Sequence, residues 1–359
     1  MKRMHMNYTI GRASNWLFAR KHWGLLSLVV LLLCLTSLVS CHHIQLYEPA
    51  TGVYLKMDIS IGAKTELAGG DSFPDKEMWN RIVIGNTPDV FRLSMYDRET
   101  GRLAYEDFIP AEGAFIEAPT GYYDIIITSM GAEAVRIDGM SSKGAARAYT
   151  LETGSAVKVT KVTKGNGDEA DVNIQYPIHY MPDHVYVGVA EDVYIPVRSN
   201  ITKAVSIELK LKTIDDTYTF EATNIEGAER IASLTCYITG QVTAKYLWDG
   251  RYPNELCALP VPVLVDKGGE EGVSTVRGVF NTLGKHPNAL SNVFLNIMVQ
   301  NAQGEYFQWI YDVTDQFHNP DNVKHEIVVS DRMIVPDAEK GGFTPSVGDW
   351  DAEIIDVPL

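Results

Sequence analysis

Apolar and polar residues alternate one by one along several short segments of this chain, and that period of two constrains the fold most. In residues 204–212, AVSIELKLK, the apolar residues Val205, Ile207, Leu209 and Leu211 would share one face. A β-strand points successive side chains to opposite faces of a sheet, so the pattern predicts a half-buried strand. A chain built from such segments is expected to form sheets.

Similar segments follow along the chain. Residues 53–61 alternate in the same way, and residues 97–101, DRETG, predict a hairpin between strands at 91–96 and 103–109. The apolar run at 122–128 predicts a strand buried on both faces. The pattern weakens between about 130 and 180, where glycines mark loops, and long amphipathic helices are nearly absent.

These strands predict an all-β protein, and the length of 359 residues allows two domains. We expect two consecutive antiparallel β-sandwich domains with Greek-key connections, at 53–198 and 199–359.

The first forty residues predict an export signal. Arg20 and Lys21 precede an uncharged apolar run at 25–39, which is the order found in a secretory signal peptide. The alternative is an uncleaved membrane helix over 23–40, which only just reaches the length of about 18 residues that such a helix needs.

The four residues 38–41, LVSC, resemble the bacterial lipobox. In proteins with this motif, the Cys receives a diacylglycerol and the signal peptide is cut just before it. The resemblance implies a lipid on Cys41, a short tether over 41–52, and attachment to the outer membrane with a periplasmic or surface-exposed fold.

The charge of the exported part argues against nucleic acid as a partner. The chain has 31 basic and 46 acidic residues, and the first forty residues hold five of the basic ones and no acidic one. The remainder therefore has 26 basic and 46 acidic residues, a formal charge of −20. Such a surface repels phosphate backbones and suits solubility, but it identifies no partner.

Two cysteines, Cys236 and Cys257, remain in the exported part after Cys41. A disulfide between them could persist outside the cytoplasm and would contribute around 3 kcal/mol. The alternative is two buried free thiols, because free Cys is often buried.

Six segments, in order along the chain, carry a likeness to one known family: Cys41, the strand 53–61, FRLSMYDRETGRLAYEDF at 91–108, APTGYYD at 118–124, QWIYDVTDQF at 308–317 and GGFTPSVGDWDAEII at 341–355. With these segments the sequence resembles the fimbrillin-like lipoproteins of Bacteroides and its relatives. The resemblance implies a pair of transthyretin-like β-sandwiches and a place among the stalk, tip or anchor subunits of pili.

In the stalk subunits of that family, a trypsin-like protease cuts behind an Arg and removes the first strand, and a neighbouring subunit then fills the groove by strand exchange. The resemblance implies Arg81, in a loop-like stretch after the first strand, as the candidate cleavage site. The alternative for Arg81 is an ordinary surface arginine. Arg92 lies within an apparent strand and suits cleavage less well. An uncut first domain would fit an anchor or accessory subunit better than a stalk.

No motif for catalysis is present: the sequence lacks G-x-S-x-G, H-E-x-x-H, a P-loop and paired-Cys zinc spacing. His179, Asp183 and His184 could ligate a metal, but two His without a third fixed ligand favour a solvated loop. The acidic segment 167–171 lacks the spacing of an EF-hand and also favours a solvated loop. We therefore expect no enzyme, no cofactor and no bound metal.

Three aromatic residues, Tyr246, Trp248 and Tyr252, could stack on sugar rings, or could belong to the edge of a core. Two functions follow from the sequence. The first is a fimbrial or adhesion lipoprotein that acts by strand addition and contacts with other subunits. The alternative is a surface glycan-binding lipoprotein that uses exposed aromatic residues.

Overall fold

The structure is a computed structural model that describes residues 50–59, 73, 75–165, 167–197, 205–266, 273–286 and 292–336. The signal segment, Cys41, most of the tether and the segment 341–355 lie outside the described residues. The described residues from Thr51 onwards form one compact unit.

The all-β class is confirmed. Within the described ranges the only α-helices are single short turns, α1 (Lys76–Trp79) and α2 (Thr314–His318). In chain order the strands are β1 (Thr51–Ile59), β2 (Val90–Asp97), β3 (Leu103–Pro110), β4 (Ala114–Ala118), β5 (Gly121–Ser129), β6 (Val135–Asp138), β7 (Arg147–Thr150), β8 (Glu152–Thr163), β9 (Glu169–His179), β10 (Tyr186–Ile195), β11 (Val205–Thr213), β12 (Asp216–Glu226), β13 (Ile231–Val242), β14 (Ala244–Tyr246), β15 (Leu256–Val261), β16 (Val263–Asp266), β17 (Val273–Thr282), β18 (Phe294–Asn301), β19 (Tyr306–Asp312), β20 (Glu326–Val329) and β21 (Met333–Ile334).

The first sheet has the strand order β3-β2-β5-β10-β11-β1-β4. Its inner face carries an apolar core that includes Val53, Leu93, Ile125 and Leu209. In β5 the three successive residues Ile125, Ile126 and Ile127 are all fully buried, which confirms a strand buried on both faces.

The hairpin between β2 and β3 is confirmed. The Gly101 amide donates to the Asp97 carbonyl over 2.8 Å, and Gly101 has the positive φ of +65° that favours glycine. The Asp97 carboxylate accepts from the Thr100 amide at 2.8 Å and from the Thr100 hydroxyl at 2.7 Å. These two hydrogen bonds lower the pKa of Asp97 below its ordinary value.

The remaining strands build three further sheets. Six of them close on one another in the order β13-β15-β9-β8-β19-β18, and a second sheet runs β16-β17-β12-β20 with β21 also paired to β12. A large apolar core joins these two sheets and includes Phe220, Phe280, Leu295 and Ile297. A small sheet has the order β14-β7-β6.

The two consecutive Greek-key sandwiches are not confirmed. β11 follows the expected boundary at 198/199, yet it lies in the first sheet beside β1 and β10. β8 and β9 precede that boundary, yet they pair with β19 and β15 in the closed sheet. Several of these strand pairs are parallel, and parallel strands must come from segments that are far apart in sequence. The alternation of apolar and polar residues within one strand does not show which distant strand pairs with it. The domain boundary itself stays a prediction.

Residues 130–180 also differ from expectation. Gly144 and Gly167 do lie in a turn and a bend, as expected, but the segment also contains the long hairpin of β8 and β9, in which Val157, Val159 and Tyr176 are buried. Thr and Lys occupy many of the exposed positions of β8, and this polar content weakened the apolar signal.

Candidate functional site

The first strand is an interior strand of its sheet, with a parallel neighbour on one side and an antiparallel neighbour on the other. β1 pairs in parallel with β11, from Val53↔Val205 to Ile59↔Leu211, and antiparallel with β4. Val53 and Leu55 are almost completely buried. Removing β1 would therefore leave a groove between β11 and β4, with apolar pockets and unpaired backbone groups on both walls. Such a groove accepts an extended segment of another chain.

The side chain of Arg81 is exposed, but its backbone is not in a loop. It lies in a π-helical turn, Asn80–Ile84, that continues directly from α1. The expected loop at this position is wrong, because α1 and the turn are anchored by an apolar cluster. Its buried members are Phe73, Met78, Trp79, Ile82, Val83 and Val279. The Asp75 carboxylate caps α1 by accepting from the Met78 amide at 2.9 Å.

Two long-range hydrogen bonds hold this turn against the rest of the protein. The side-chain amide of Asn281 donates through Nδ2 to the Ile82 carbonyl over 2.9 Å. The buried His184 ring places Nε2 3.1 Å from the Val83 carbonyl oxygen and Nδ1 2.7 Å from the Asp215 carboxylate. His184 was expected to be solvated, and that expectation is wrong, because its partners come from distant segments of the chain.

The candidate metal ligands His179, Asp183 and His184 do not converge. His179 Nδ1 lies 3.1 Å from the Thr150 hydroxyl, whereas Asp183 accepts from the Val135 amide at 3.0 Å. Among the residues that the structure describes, no group of three or more His, Cys, Asp and Glu side chains could hold a metal ion. The acidic segment 167–171 runs into β9, where Glu169 forms an ion pair with Lys161.

Cys236 and Cys257 are free, buried thiols. They lie on the paired strands β13 and β15, but Cys236 is opposite Val261 and Cys257 is opposite Gln241. This offset is five positions along β13 and four along β15, and it separates the two cysteines by roughly 15 Å, which is beyond the reach of a disulfide. Burial raises the pKa of both thiols far above the ordinary value.

The structure brings two of the three aromatic candidates to one cavity. Tyr246 and Trp248, both half-buried, line a cavity of about 690 Å³ together with Lys212, Lys245 and Asp216. Tyr252 is half-buried as well and packs against the neighbouring apolar core. The cavity combines flat apolar rings with charged groups, as small-ligand sites do.

No helix within the described ranges is long and apolar enough to span a membrane. Cys41, the predicted lipid site, lies outside those ranges, so lipid attachment stays a prediction.

Comparison with solved structures finds proteins of similar fold. A candidate adhesin from Bacteroides ovatus ATCC 8483 matches with a TM-score of 0.53 and 17% identity, over 80% of this chain and 93% of that chain. A second candidate adhesin from Bacteroides ovatus has a TM-score of 0.44 and 12% identity, over 85% and 94% of the two chains. The fimbrial anchor protein Mfa2 from Porphyromonas gingivalis also has a TM-score of 0.44 and 12% identity, over 78% and 89%.

The resemblance to fimbrillin-like proteins that the sequence suggested is thus confirmed in the fold. No curated protein sequence matches the chain. The family described as "Domain of unknown function (DUF5119)" matches residues 78–263, which is more than half of the chain. This protein belongs to the DUF5119 family.

Proposed function

We propose that this protein is a cell-envelope subunit of a fimbrial or adhesive assembly, held at the outer membrane by a lipid on Cys41. It acts through β-strand addition and contacts with other subunits rather than through catalysis. The observation that carries this proposal is the position of β1, which fills a groove between β11 and β4 with the buried residues Val53 and Leu55. A groove of this kind is what strand addition requires.

We further propose that the protein keeps its own first strand and therefore serves as an anchor or accessory subunit. A protease binds its substrate as an extended segment, but the peptide bond after Arg81 lies in a helical turn between buried residues. Cutting there requires α1 and the turn to unfold locally, which exposes Trp79, Ile82 and Val83 to water. An uncut β1 blocks the groove against a neighbour's strand, so the subunit takes part in strand addition only by donating a strand to a neighbour. It therefore ends an assembly rather than extends it.

The N-terminus of the protein isolated from cells tests both proposals, the lipid anchor on Cys41 and the retained first strand. We expect a chain that begins with a lipid-modified Cys41 and still contains β1, as shown by mass spectrometry of the intact protein. A chain that begins at Ile82 would contradict the uncut subunit and would indicate a stalk. A chain that begins at Met1 and carries no lipid would contradict the anchored envelope protein.

Detergent gels of outer-membrane extracts, unboiled and boiled, test the assembly. We expect one discrete band of high apparent mass in the unboiled lane and a monomer band after boiling. A ladder that collapses on boiling would instead indicate a polymerising stalk. A monomer band in both lanes would contradict assembly by strand addition.

A further inference from the structure

We propose that the cavity beside Trp248 binds an acidic saccharide, a sugar that carries a carboxylate, such as a uronate. This binding site goes beyond the assembly role of the first sheet and does not depend on it.

The size and position of the cavity suit such a ligand. Its volume is about 690 Å³, within the range of roughly 300–1,000 Å³ found for small-ligand sites. One wall is formed by β10 and β11, and the segment 214–217 continues that wall. The other side is formed by β14, the turn 247–250 and His325. At Gly250 nothing within 4 Å occupies the space that a Cβ would take, so the turn borders open space.

Two aromatic rings of this cavity are held in place by cations. The Lys143 ammonium lies 4.3 Å from the centre of a Trp248 ring, and the Arg251 guanidinium lies 4.6 Å from the centre of the Tyr246 ring. Trp248 also packs against an apolar core that includes Leu247. A ring fixed in this way loses little entropy on binding, and its apolar surface suits the C–H groups of a sugar.

The charges that line the cavity favour an anion. Lys210, Lys212 and Lys245 contribute three positive charges, against the carboxylates of Asp215 and Asp216. The Asp215 carboxylate lies 2.7 Å from buried His184 and already has that partner. This positive excess occurs in a chain of formal net charge −15, so it stands out from the rest of the surface.

Lys245 is the central cation. Its Nζ donates to the Ile214 carbonyl over 2.9 Å, which is its one hydrogen bond to the described residues. An ammonium group has three N–H donors, so two are available to a ligand. Burial lowers the pKa of Lys245, while the nearby carboxylate of Asp216 acts in the opposite direction. A bound carboxylate would offset the desolvation of this ammonium and form charge-assisted hydrogen bonds with it.

His325 adds a polar group to the same wall. It has a positive φ of +51°, which is uncommon for a residue with a side chain, and its ring stacks on buried Tyr218 with centres 4.4 Å apart. Its Nδ1 lies 3.0 Å from the Thr217 carbonyl oxygen and must carry a proton to donate to it. Within the described ranges, Nε2 has no hydrogen-bond partner and can contact a sugar hydroxyl.

The binding test uses the mature protein, calorimetry and three kinds of probe. Tri-galacturonate and tri-mannuronate carry both rings and carboxylates, the methyl esters of the same sugars lack the charge, and poly-glutamate has the charge without sugar rings. We expect at least one uronate to bind, its ester to bind about tenfold more weakly or not at all, and added salt to weaken binding. Absence of binding by both uronates, or equal binding by ester or poly-glutamate, would overturn the proposal.

Variants locate the site. Lys212→Gln changes an exposed side chain and should weaken uronate binding several-fold with the fold unchanged, while Trp248→Ala should weaken it by about tenfold. The matched control is Lys158→Gln, an exposed lysine of β8 outside the cavity, which should bind as the original protein does. Unchanged binding in Lys212→Gln, or an equal loss in Lys158→Gln, would show that the sugar binds elsewhere and would overturn the assignment.

Discussion

At the scale of single residues, Gly85 shows how one backbone position fixes a long-range contact. Gly85 ends the π-helical turn with a φ of +63°, and a Cβ at this position would collide with the His184 ring. The missing side chain thus lets His184 reach both the Val83 carbonyl and Asp215. The turn that contains Arg81 depends on this arrangement.

Gly85→Ala should destabilise the protein by about 2–4 kcal/mol, because it adds a steric clash to the strain of a positive φ. Urea unfolding followed by tryptophan fluorescence measures the change. Gly131→Ala is the matched control, since Gly131 also has a positive φ of +93° but no atom lies within 4 Å of the added methyl group. The control should lose only about 1 kcal/mol. Equal losses in the two variants would contradict a role for the His184 contact.

Asp97 provides a pH-dependent prediction. Hydrogen bonds from the Thr100 hydroxyl and amide lower the pKa of Asp97 in the folded protein. Its contribution to stability is therefore fully present above the pKa of the unfolded chain and is lost as the pH falls through the folded pKa. Thr100→Val removes the hydroxyl donor and should raise the pKa of Asp97 towards its ordinary value, as followed by NMR titration of the carboxyl carbon. An unchanged titration curve would contradict the hydrogen bond as the cause.

The thiols of Cys236 and Cys257 should be inert in the folded protein. Both are buried, and burial raises their pKa values, so little thiolate is available near neutral pH. We expect no reaction with a thiol reagent such as DTNB in native buffer. In denaturant without reductant, both should react. Reaction only after reduction would show that the two residues form a disulfide.

At the scale of elements, the turn after α1 decides whether β1 can be released. Trp79 is buried and packs against Phe73 with ring centres 5.2 Å apart. Together with Ile82 and Val83 it holds the turn closed around the peptide bond after Arg81.

Trp79→Ala should open this turn and make the bond after Arg81 sensitive to trypsin. Replacing a buried Trp by Ala lowers stability by about 3–5 kcal/mol, which is enough to populate a state in which the turn is locally unfolded. Limited proteolysis followed by mass spectrometry detects the new fragment beginning at Ile82. Phe108→Ala, at a position that is 55% exposed, is the control and should stay resistant. Rapid cleavage after Arg81 in the original protein would contradict the protected turn.

Sequence patterns predicted the elements whose cause is local. The hairpin of β2 and β3 follows from the residues 97–101 themselves, and the burial of β5 follows from its three successive isoleucines. The π-helical turn at Arg81 and the burial of His184 were not predicted, because their partners Asn281 and Asp215 lie far away in sequence. The cavity lined by Tyr246 and Trp248 was predicted only as a set of aromatic residues, without its lysines.

At the scale of the whole molecule, the strands before and after residue 198 are interleaved. β11 completes the sheet of β1, and β8 and β9 complete the sheet of β13, β18 and β19. Alternation indicates which face of a strand is buried but not which strand lies beside it, so this arrangement could not be predicted from the sequence.

A fragment of residues 50–197 should therefore not fold by itself. Without β11, β1 loses its parallel partner, and without β15 and β19 the hairpin of β8 and β9 loses both of its neighbours. Circular dichroism and NMR spectra of the fragment should show an unfolded or aggregated chain, whereas residues 50–359 should give a folded spectrum. A well-dispersed spectrum from the fragment would support an independent domain that ends near residue 198.

In the export that we propose for this protein, the parallel pairing of β1 with β11 also sets the order in which the chain can fold. The N-terminal end of an exported chain emerges first, so the apolar face of β1 reaches the envelope long before its partner has been synthesised or translocated. Until β11 arrives, Val53 and Leu55 have no complete sheet to enter and could aggregate. A chaperone that binds extended apolar segments would be needed in that interval. Folding should also be slow, because the long chain segment between β1 and β11 must be closed into a loop before the two strands can pair.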